Sequence, residues 1–139
     1  MSHLSNKKNL KIGKNVFIGH NNYIDGYKDL TIDEGCQITN YVSILTHSSH
    51  HSIRLHGTSY IDQVNDLKGL TSGSVIIGAY SYIGAHSTIM PGTVVGKGSI
   101  ISAYSFVSGK FPDFSILRGQ PARVIGDTRS IDEKFLAKH

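Results

Sequence analysis

The chain has 139 residues, the length of a single domain. Fourteen Lys and Arg against ten Asp and Glu give a formal charge of +4. No basic cluster alternates with aromatics, so the balance argues against nucleic acid and for small anionic ligands or an acidic glycan. One cysteine excludes an internal disulfide. No apolar run approaches the roughly 18 residues of a membrane span and no leader peptide is visible, so the chain reads as cytoplasmic, without an integral membrane segment.

Met1 to Leu10 is polar and is expected to cap whatever follows. From Ile12 the chain keeps a six-residue beat: Ile12, Ile18, Ile24, Ile32, Ile38 and Ile44, then Ile77, Ile83, Ile89, Val95, Ile101 and Val107. Within these sets every step is six except the eight from Ile24 to Ile32. Glycine follows the aliphatic at Gly13, Gly19, Gly78, Gly84 and Gly96. Such a beat fits no helix of period 3.6 and does fit short strands joined by tight turns and stacked as a solenoid. A second, smaller inward position is expected at Cys36, Val42, Ser81, Ser87, Thr93, Ser99 and Ser105, two residues before the next aliphatic. Large alternating with small suits a narrow triangular core, three hexads to a coil, with coils about 4.8 Å apart. Gly, Asn and Asp near the corners supply tight or left-handed backbone.

The beat stops after Ile44 and resumes at Ile77, which leaves an excursion over residues 48–74 after the second coil. A loop of that length inside a small domain is a functional element or a disordered one. It opens with Leu45-Thr46-His47-Ser48-Ser49-His50-His51, and His56 follows. One neutral imidazole serves as a general base. Several imidazoles together serve a metal, but no carboxylate or thiolate completes a ligand set beside these. After Val107 the beat fades. Ser130 to His139 reads as a short capping helix, with Ser130 and Glu133 at capping-box spacing and Ile131, Phe135 and Leu136 turned to the last coil. The domain thus spans 1–127 and the tail 128–139.

Two segments sharpen the repeat. Ile77-Gly78-Ala79-Tyr80-Ser81-Tyr82-Ile83-Gly84 runs on to Met90-Pro91-Gly92-Thr93-Val94-Val95-Gly96, and Gly119-Gln120-Pro121-Ala122-Arg123-Val124-Ile125-Gly126 follows. From Ile12 to Gly126 the chain resembles the hexapeptide-repeat acetyltransferases, whose closing signature is Gly-x-Pro-Ala-Lys/Arg. The resemblance implies an all-β fold, a left-handed parallel β-helix with acetyl-CoA as co-substrate and no metal. It also implies a homotrimer with active sites between subunits and a sugar or glycan acceptor. Thr46-His47 resembles the catalytic Thr-His of the sugar O-acetyltransferases, which makes His47 the base. His50, His51 and Arg54 resemble the galactoside-type members.

By the same resemblance, Ala85, Ala103 and Ser108 line the pantetheine arm, although coil geometry also requires small residues there. Lys110 and Arg123 meet the phosphates, or are solvated charges. Many members carry their Lys one residue earlier, where this chain has Gly109. Asn22 and Asp25, beside the eight-residue step, bind acceptor hydroxyls or serve as corner residues. The absence of an N-terminal helical cap and of a nucleotide-binding domain points to the short polysaccharide and lipopolysaccharide O-acetyltransferases. Three alternatives stay open. A non-catalytic scaffold would keep the fold but bind no coenzyme A. Of the two enzymes, one is a sugar-amine N-acetyltransferase. The other is a metal-dependent hydratase like the zinc-type carbonic anhydrases of this fold, although His86 is followed five residues on by Pro91 rather than by a second histidine.

Overall fold

The computed structural model describes residues 1–63 and 67–138; part of the excursion and His139 lie outside the described residues. The N-terminal segment forms β1 (His3–Ser5) and a 3₁₀ turn (Lys7–Asn9). The first coil is β2 (Leu10–Ile12), β3 (Phe17–Ile18) and β4 (Tyr23–Asp25), and the second is β5 (Leu30–Ile32), β6 (Gln37–Ile38) and β7 (Ser43–Ile44). The excursion contains β8 (His47–Ser48), α1 (His50–His56), 3₁₀ turns over Gly57–Ser59 and Ile61–Gln63, and β9 (Thr71–Ser72). The third coil is β10 (Val75–Ile77), β11 (Tyr82–Ile83) and β12 (Thr88–Ile89). The fourth is β13 (Val94–Val95), β14 (Ile100–Ile101) and β15 (Phe106–Val107). The chain closes with β16 (Lys110–Phe111), β17 (Ser115–Gly119), β18 (Ala122–Asp127) and α2 (Thr128–Lys138).

These strands form three faces of a parallel β-helix. Sheet 1 runs β1-β4-β7-β12-β15, sheet 2 runs β2-β5-β10-β13-β16, and sheet 3 runs β3-β6-β11-β14-β17-β18. Only the last pair, β17 with β18, is antiparallel within these faces. The beat becomes three inward ladders. Ile24, Ile44, Ile89 and Val107 stack on sheet 1. Ile12, Ile32, Ile77 and Val95 stack on sheet 2. Ile18, Ile38, Ile83 and Ile101 stack on sheet 3. Ladder partners in the later coils lie 18 residues apart, as Ile77 and Val95 do. Across the first coil the spacing is 20, as between Ile12 and Ile32, because the eight-residue step adds two.

Ten of the twelve aliphatics are at most 1% exposed, but Ile12 is 40% exposed and Ile18 is half-buried. Below the first coil only sheet 1 continues, through β1, so sheets 2 and 3 end there. The polar N-terminal segment is therefore less a cap than one more rung. Every expected small inward position is buried. Their hydroxyls fold back on the corners: Ser99 Oγ donates to the Gly96 carbonyl and Ser105 Oγ to the Ser102 carbonyl, both at 2.7 Å. Cys36 is buried, which pushes its thiol up from the ordinary value.

The hexad glycines are needed for space and not for conformation. A Cβ at Gly84 would stand 2.5 Å from the Ala103 nitrogen, and one at Gly96 would stand 2.3 Å from the Asp113 nitrogen. Neither glycine has a positive φ. The left-handed corners instead include Asn15, Asn21, Tyr41, Tyr80, His86, Tyr104 and Phe114. For the bulky ones that conformation costs about 1–2 kcal/mol each, and packing offsets it. Tyr41, His86 and Tyr104 stack with centroids 4.8 Å apart and planes within 5°.

The tail departs from expectation. Its helix begins at Thr128 and not at Ser130, with Asp127 as cap: Oδ1 accepts the Arg129 N–H at 2.8 Å. Ile131, Phe135 and Leu136 are 37%, 58% and 76% exposed, so α2 does not lie down on the last coil. The hairpin of β17 and β18 continues sheet 3 instead, and its buried Leu117 and Ala122 belong to the core. Truncating the central ladder tests this core. Ile83→Ala is expected to cost about 2–5 kcal/mol in urea unfolding, whereas Ile53→Ala, at a 47% exposed position on α1, leaves the midpoint nearly unchanged.

Candidate active site

The edge between sheets 1 and 2 breaks the regular corner twice, after β4 and after β7. Asp25 ends β4 and makes an Asx turn in which its Oδ1 accepts the Tyr27 N–H at 2.9 Å. The two extra residues of the step lift Tyr27 and Lys28 outward as a bulge, while Gly26 stays buried. One coil on, Thr46 docks under it. Its N–H donates to Asp25 Oδ2 at 3.0 Å, and its Oγ1 accepts the Lys28 N–H at 2.9 Å. The Thr46 hydroxyl proton faces the Asp25 carbonyl at 3.0 Å and Oδ2 at 3.2 Å. From below, Ser5 Oγ reaches Asp25 Oδ1 at 3.4 Å and Asn9 Nδ2 donates to the Gly26 carbonyl at 2.8 Å.

His47 follows Thr46, and its Nδ1 lies 2.5 Å from Asp25 Oδ2. Its backbone is pinned where β8 pairs antiparallel with β9, His47 opposite Ser72. The Asp25 side chain is 1% exposed and that of His47 is 34% exposed. Burial alone would raise the Asp25 carboxyl. Hydrogen bonds from the Tyr27 and Thr46 amides and from His47, together with the imidazole's charge, more than offset this and hold it below the ordinary aspartate value. An ionised carboxylate only accepts, so the proton on the pair sits on His47 Nδ1. In the neutral ring Nε2 is then the basic nitrogen, and it has no hydrogen-bond partner among the described residues. The Tyr27 ring lies on the imidazole, with centroids 4.3 Å apart and planes at 24°.

Two residues expected to touch an acceptor are placed otherwise. Asp25 is buried behind His47, with both oxygens engaged. Asn22 is 2% exposed, its Nδ2 donating to the Thr39 carbonyl and its Oδ1 accepting the Val42 N–H, both at 2.8 Å, so it is a corner residue. Neither presents a free polar face to a sugar. The other histidines of the excursion do not join His47. Ser48 Oγ meets His50 Nδ1 at 2.8 Å, His50 and His51 pack at 4.2 Å, and His56 Nε2 accepts the Lys68 N–H at 2.9 Å. No group of three potential metal ligands occurs among the described residues. Arg54 is exposed on α1.

The expected donor-side residues fall on different edges. Ala85 and Ala103 sit one coil apart at the edge between sheets 3 and 1, where the Tyr104 N–H donates to the Ala85 carbonyl. Ser108 and Lys110 lie at the edge between sheets 1 and 2, two coils beyond His47, and Arg123 is in β18 opposite Arg118. Lys110 and Arg123 are exposed. Sheet 1 therefore separates Ala85 and Ala103 from His47 within one chain. Tyr27 was not singled out from sequence, and the eight-residue step was the signal that marked its place.

Residues 74–109 match the model of the bacterial transferase hexapeptide family (six repeats). The chain is 31% identical over 133 residues to the galactoside O-acetyltransferase of Escherichia coli (strain K12), covering 94% of this chain and 60% of that protein. The chain spans about three-fifths or less of the length of the curated relatives it matches first. Its fold is similar to a galactoside acetyltransferase solved in complex with coenzyme A, with a TM-score of 0.78, 26% identity, and coverage of 95% of this chain and 62% of that one. It is also similar to the polySia-specific acetyltransferase NeuO, with a TM-score of 0.68, 27% identity, and coverage of 86% and 52%. Repeat, fold and relatives agree: residues 74–109 carry the hexapeptide repeat of the bacterial transferases, and the chain is similar in sequence and fold to these acetyltransferases.

Proposed function

We propose that the protein is an acetyl-CoA-dependent O-acetyltransferase acting on a sugar hydroxyl, in the making of a bacterial surface polysaccharide or its precursor. The observation that carries this reading is the Asp25–His47 pair, with Nδ1 held and Nε2 left basic. His47 Nε2 takes the proton of the acceptor hydroxyl as its oxygen attacks the thioester carbonyl. The tetrahedral oxyanion is stabilised by a backbone N–H. As it collapses, the C–S bond breaks, the acetyl group stays on the sugar oxygen, and the imidazolium returns its proton to the departing thiolate. No residue is acylated. The acceptor class is supported by the galactoside and polySia enzymes that the chain is similar to. The test is thiol release from acetyl-CoA against a panel of neutral, acidic and amino sugars, free and nucleotide-linked. Turnover with hydroxyl acceptors is expected, and turnover only with free amines would make it an N-acetyltransferase.

The same reading makes the β-helix left-handed, the enzyme cytoplasmic and the assembly a trimer. A molecule as long as coenzyme A is not shielded by one flat face. Three prisms about an axis make three grooves, and in each His47 of one chain faces Ala85 and Ala103 of the next. Light scattering is expected to give a trimer, and a fully active monomer would overturn the shared groove. Mixing His47→Ala chains with chains blocked in the Ala85–Ala103 groove should restore part of the activity.

Arg123 is assigned to the 3′-phosphate of coenzyme A, and Lys110 is the second candidate for the phosphates. Arg123→Ala should weaken coenzyme A binding about tenfold, the worth of one charge-assisted hydrogen bond. The loss should shrink with dephospho-coenzyme A, and equal losses with both would show that Arg123 does not read that phosphate.

A further inference from the structure

We propose that Tyr27 is a positioning residue for His47. It holds the face of the imidazole while Asp25 holds its edge, and the proposal rests on the reading of His47 as the base. A hydrogen bond at Nδ1 fixes one atom of the ring. It leaves the ring able to pivot about that bond and to sweep Nε2 across the site. A second, flat contact removes the pivot, and the Tyr27 ring supplies it at 4.3 Å and 24°. A misplacement of about 1 Å at a reacting atom costs on the order of 10² in rate, so the restraint acts on turnover.

Tyr27 is itself held by the groups that hold His47. Its N–H donates to Asp25 Oδ1, and the next N–H, of Lys28, donates to Thr46 Oγ1. Asn9 ties the preceding carbonyl, and the Gly26 N–H donates to the Ser5 carbonyl at 3.1 Å. Gly26 admits no side chain, because a Cβ there would stand 2.5 Å from the Asn6 carbonyl oxygen. The ring that emerges is 42% exposed and outside the core cluster. A tyrosine with only a packing role would be buried among aliphatics. This one packs on the imidazole, and Lys28 Nζ stands 5.9 Å over its ring. The two extra residues of the first coil thus supply both restraints, the carboxylate at one end of the bulge and the ring two residues on.

The test is Tyr27→Leu beside Tyr27→Phe and Tyr27→Trp, with kcat, the KM for acetyl-CoA, the unfolding midpoint and the NMR signals of His47 all measured. Tyr27→Leu should lower kcat about 10- to 100-fold with the KM for acetyl-CoA unchanged. The His47 ring protons should move downfield as the ring current is lost. Phe and Trp should restore both. Wild-type kcat in Tyr27→Leu, or an unmoved His47 spectrum, would overturn the proposal. So would a loss in Tyr27→Phe equal to that in Tyr27→Leu, which would give the role to the hydroxyl. His47→Ala in the same assay keeps the two readings apart. If it retains turnover, the base assignment fails, while the spectra still report whether the stack exists.

Discussion

Replacing His47 by alanine should lower turnover by about 10² to 10⁴, the range a positioned general base contributes, and should leave acetyl-CoA affinity nearly unchanged. The fold should tolerate the change. The imidazole is one-third exposed, and Asp25 keeps the Tyr27 and Thr46 amides when it is gone. His50→Ala and His51→Ala are the controls. Their rings pack on each other and on Ser48 rather than against Asp25, so turnover should hold. A loss confined to either of them would move the base away from the edge between sheets 1 and 2.

Asp25→Asn should damage both activity and stability. The amide offers one acceptor where the carboxylate offers two, so its NH₂ is brought against the Tyr27 N–H, the Thr46 N–H or His47. Leaving a buried donor unpaired costs about 1–3 kcal/mol. An asparagine also favours the wrong imidazole tautomer, and turnover should fall on the order of 10²-fold or more. The pH dependence follows from the direction of the shift. The Asp25 carboxyl lies below the ordinary aspartate value in the folded chain, so its contribution is complete above that value and is lost as pH falls through the lower, folded one. The stability gap between wild type and Asp25→Asn should therefore close as pH falls below about 4. It is read from urea midpoints across pH. A gap that persists or widens below about 4 would mean that Asp25 is not held as the anion.

Much of this arrangement is legible in the hexad beat. The beat fixes which residues point inward, and ten of its twelve aliphatics are at most 1% exposed. It also marks both departures from regularity, the eight-residue step and the long excursion, and these are where the Asp25–His47 pair forms. What the pattern does not carry is three-dimensional neighbourhood. Asp25 and Asn22 look alike as polar corner residues, yet one closes on His47 and the other on the Val42 and Thr39 backbone, because Ile24 is followed by a bulge and Asn22 by a strand. The aromatic corners were hidden for a different reason. Tyr41, His86 and Tyr104 violate the local preference for glycine or asparagine and are held by one another across coils, which no window along the chain can reveal. The tail helix was visible. Its failure to dock was not, since Ile131, Phe135 and Leu136 have the spacing of a buried face.

The excursion leaves and rejoins the prism without disturbing it. Ile32 and Ile77, Ile38 and Ile83, and Ile44 and Ile89 are ladder neighbours at a uniform separation of 45 residues, 27 more than a coil. Those 27 residues are tied off at the neck by the pairing of His47–Ser48 with Thr71–Ser72. Everything beyond the neck is thus a graft on a finished frame. Doubling its length would cost only about 0.6 kcal/mol in closure entropy. A lineage built this way can exchange the segment between Ser49 and Leu70 wholesale, altering what reaches His47, while the ladders and the Asp25–His47 pair are inherited intact. Transplanting that segment between related prisms, cut at the neck, is the experiment this design invites.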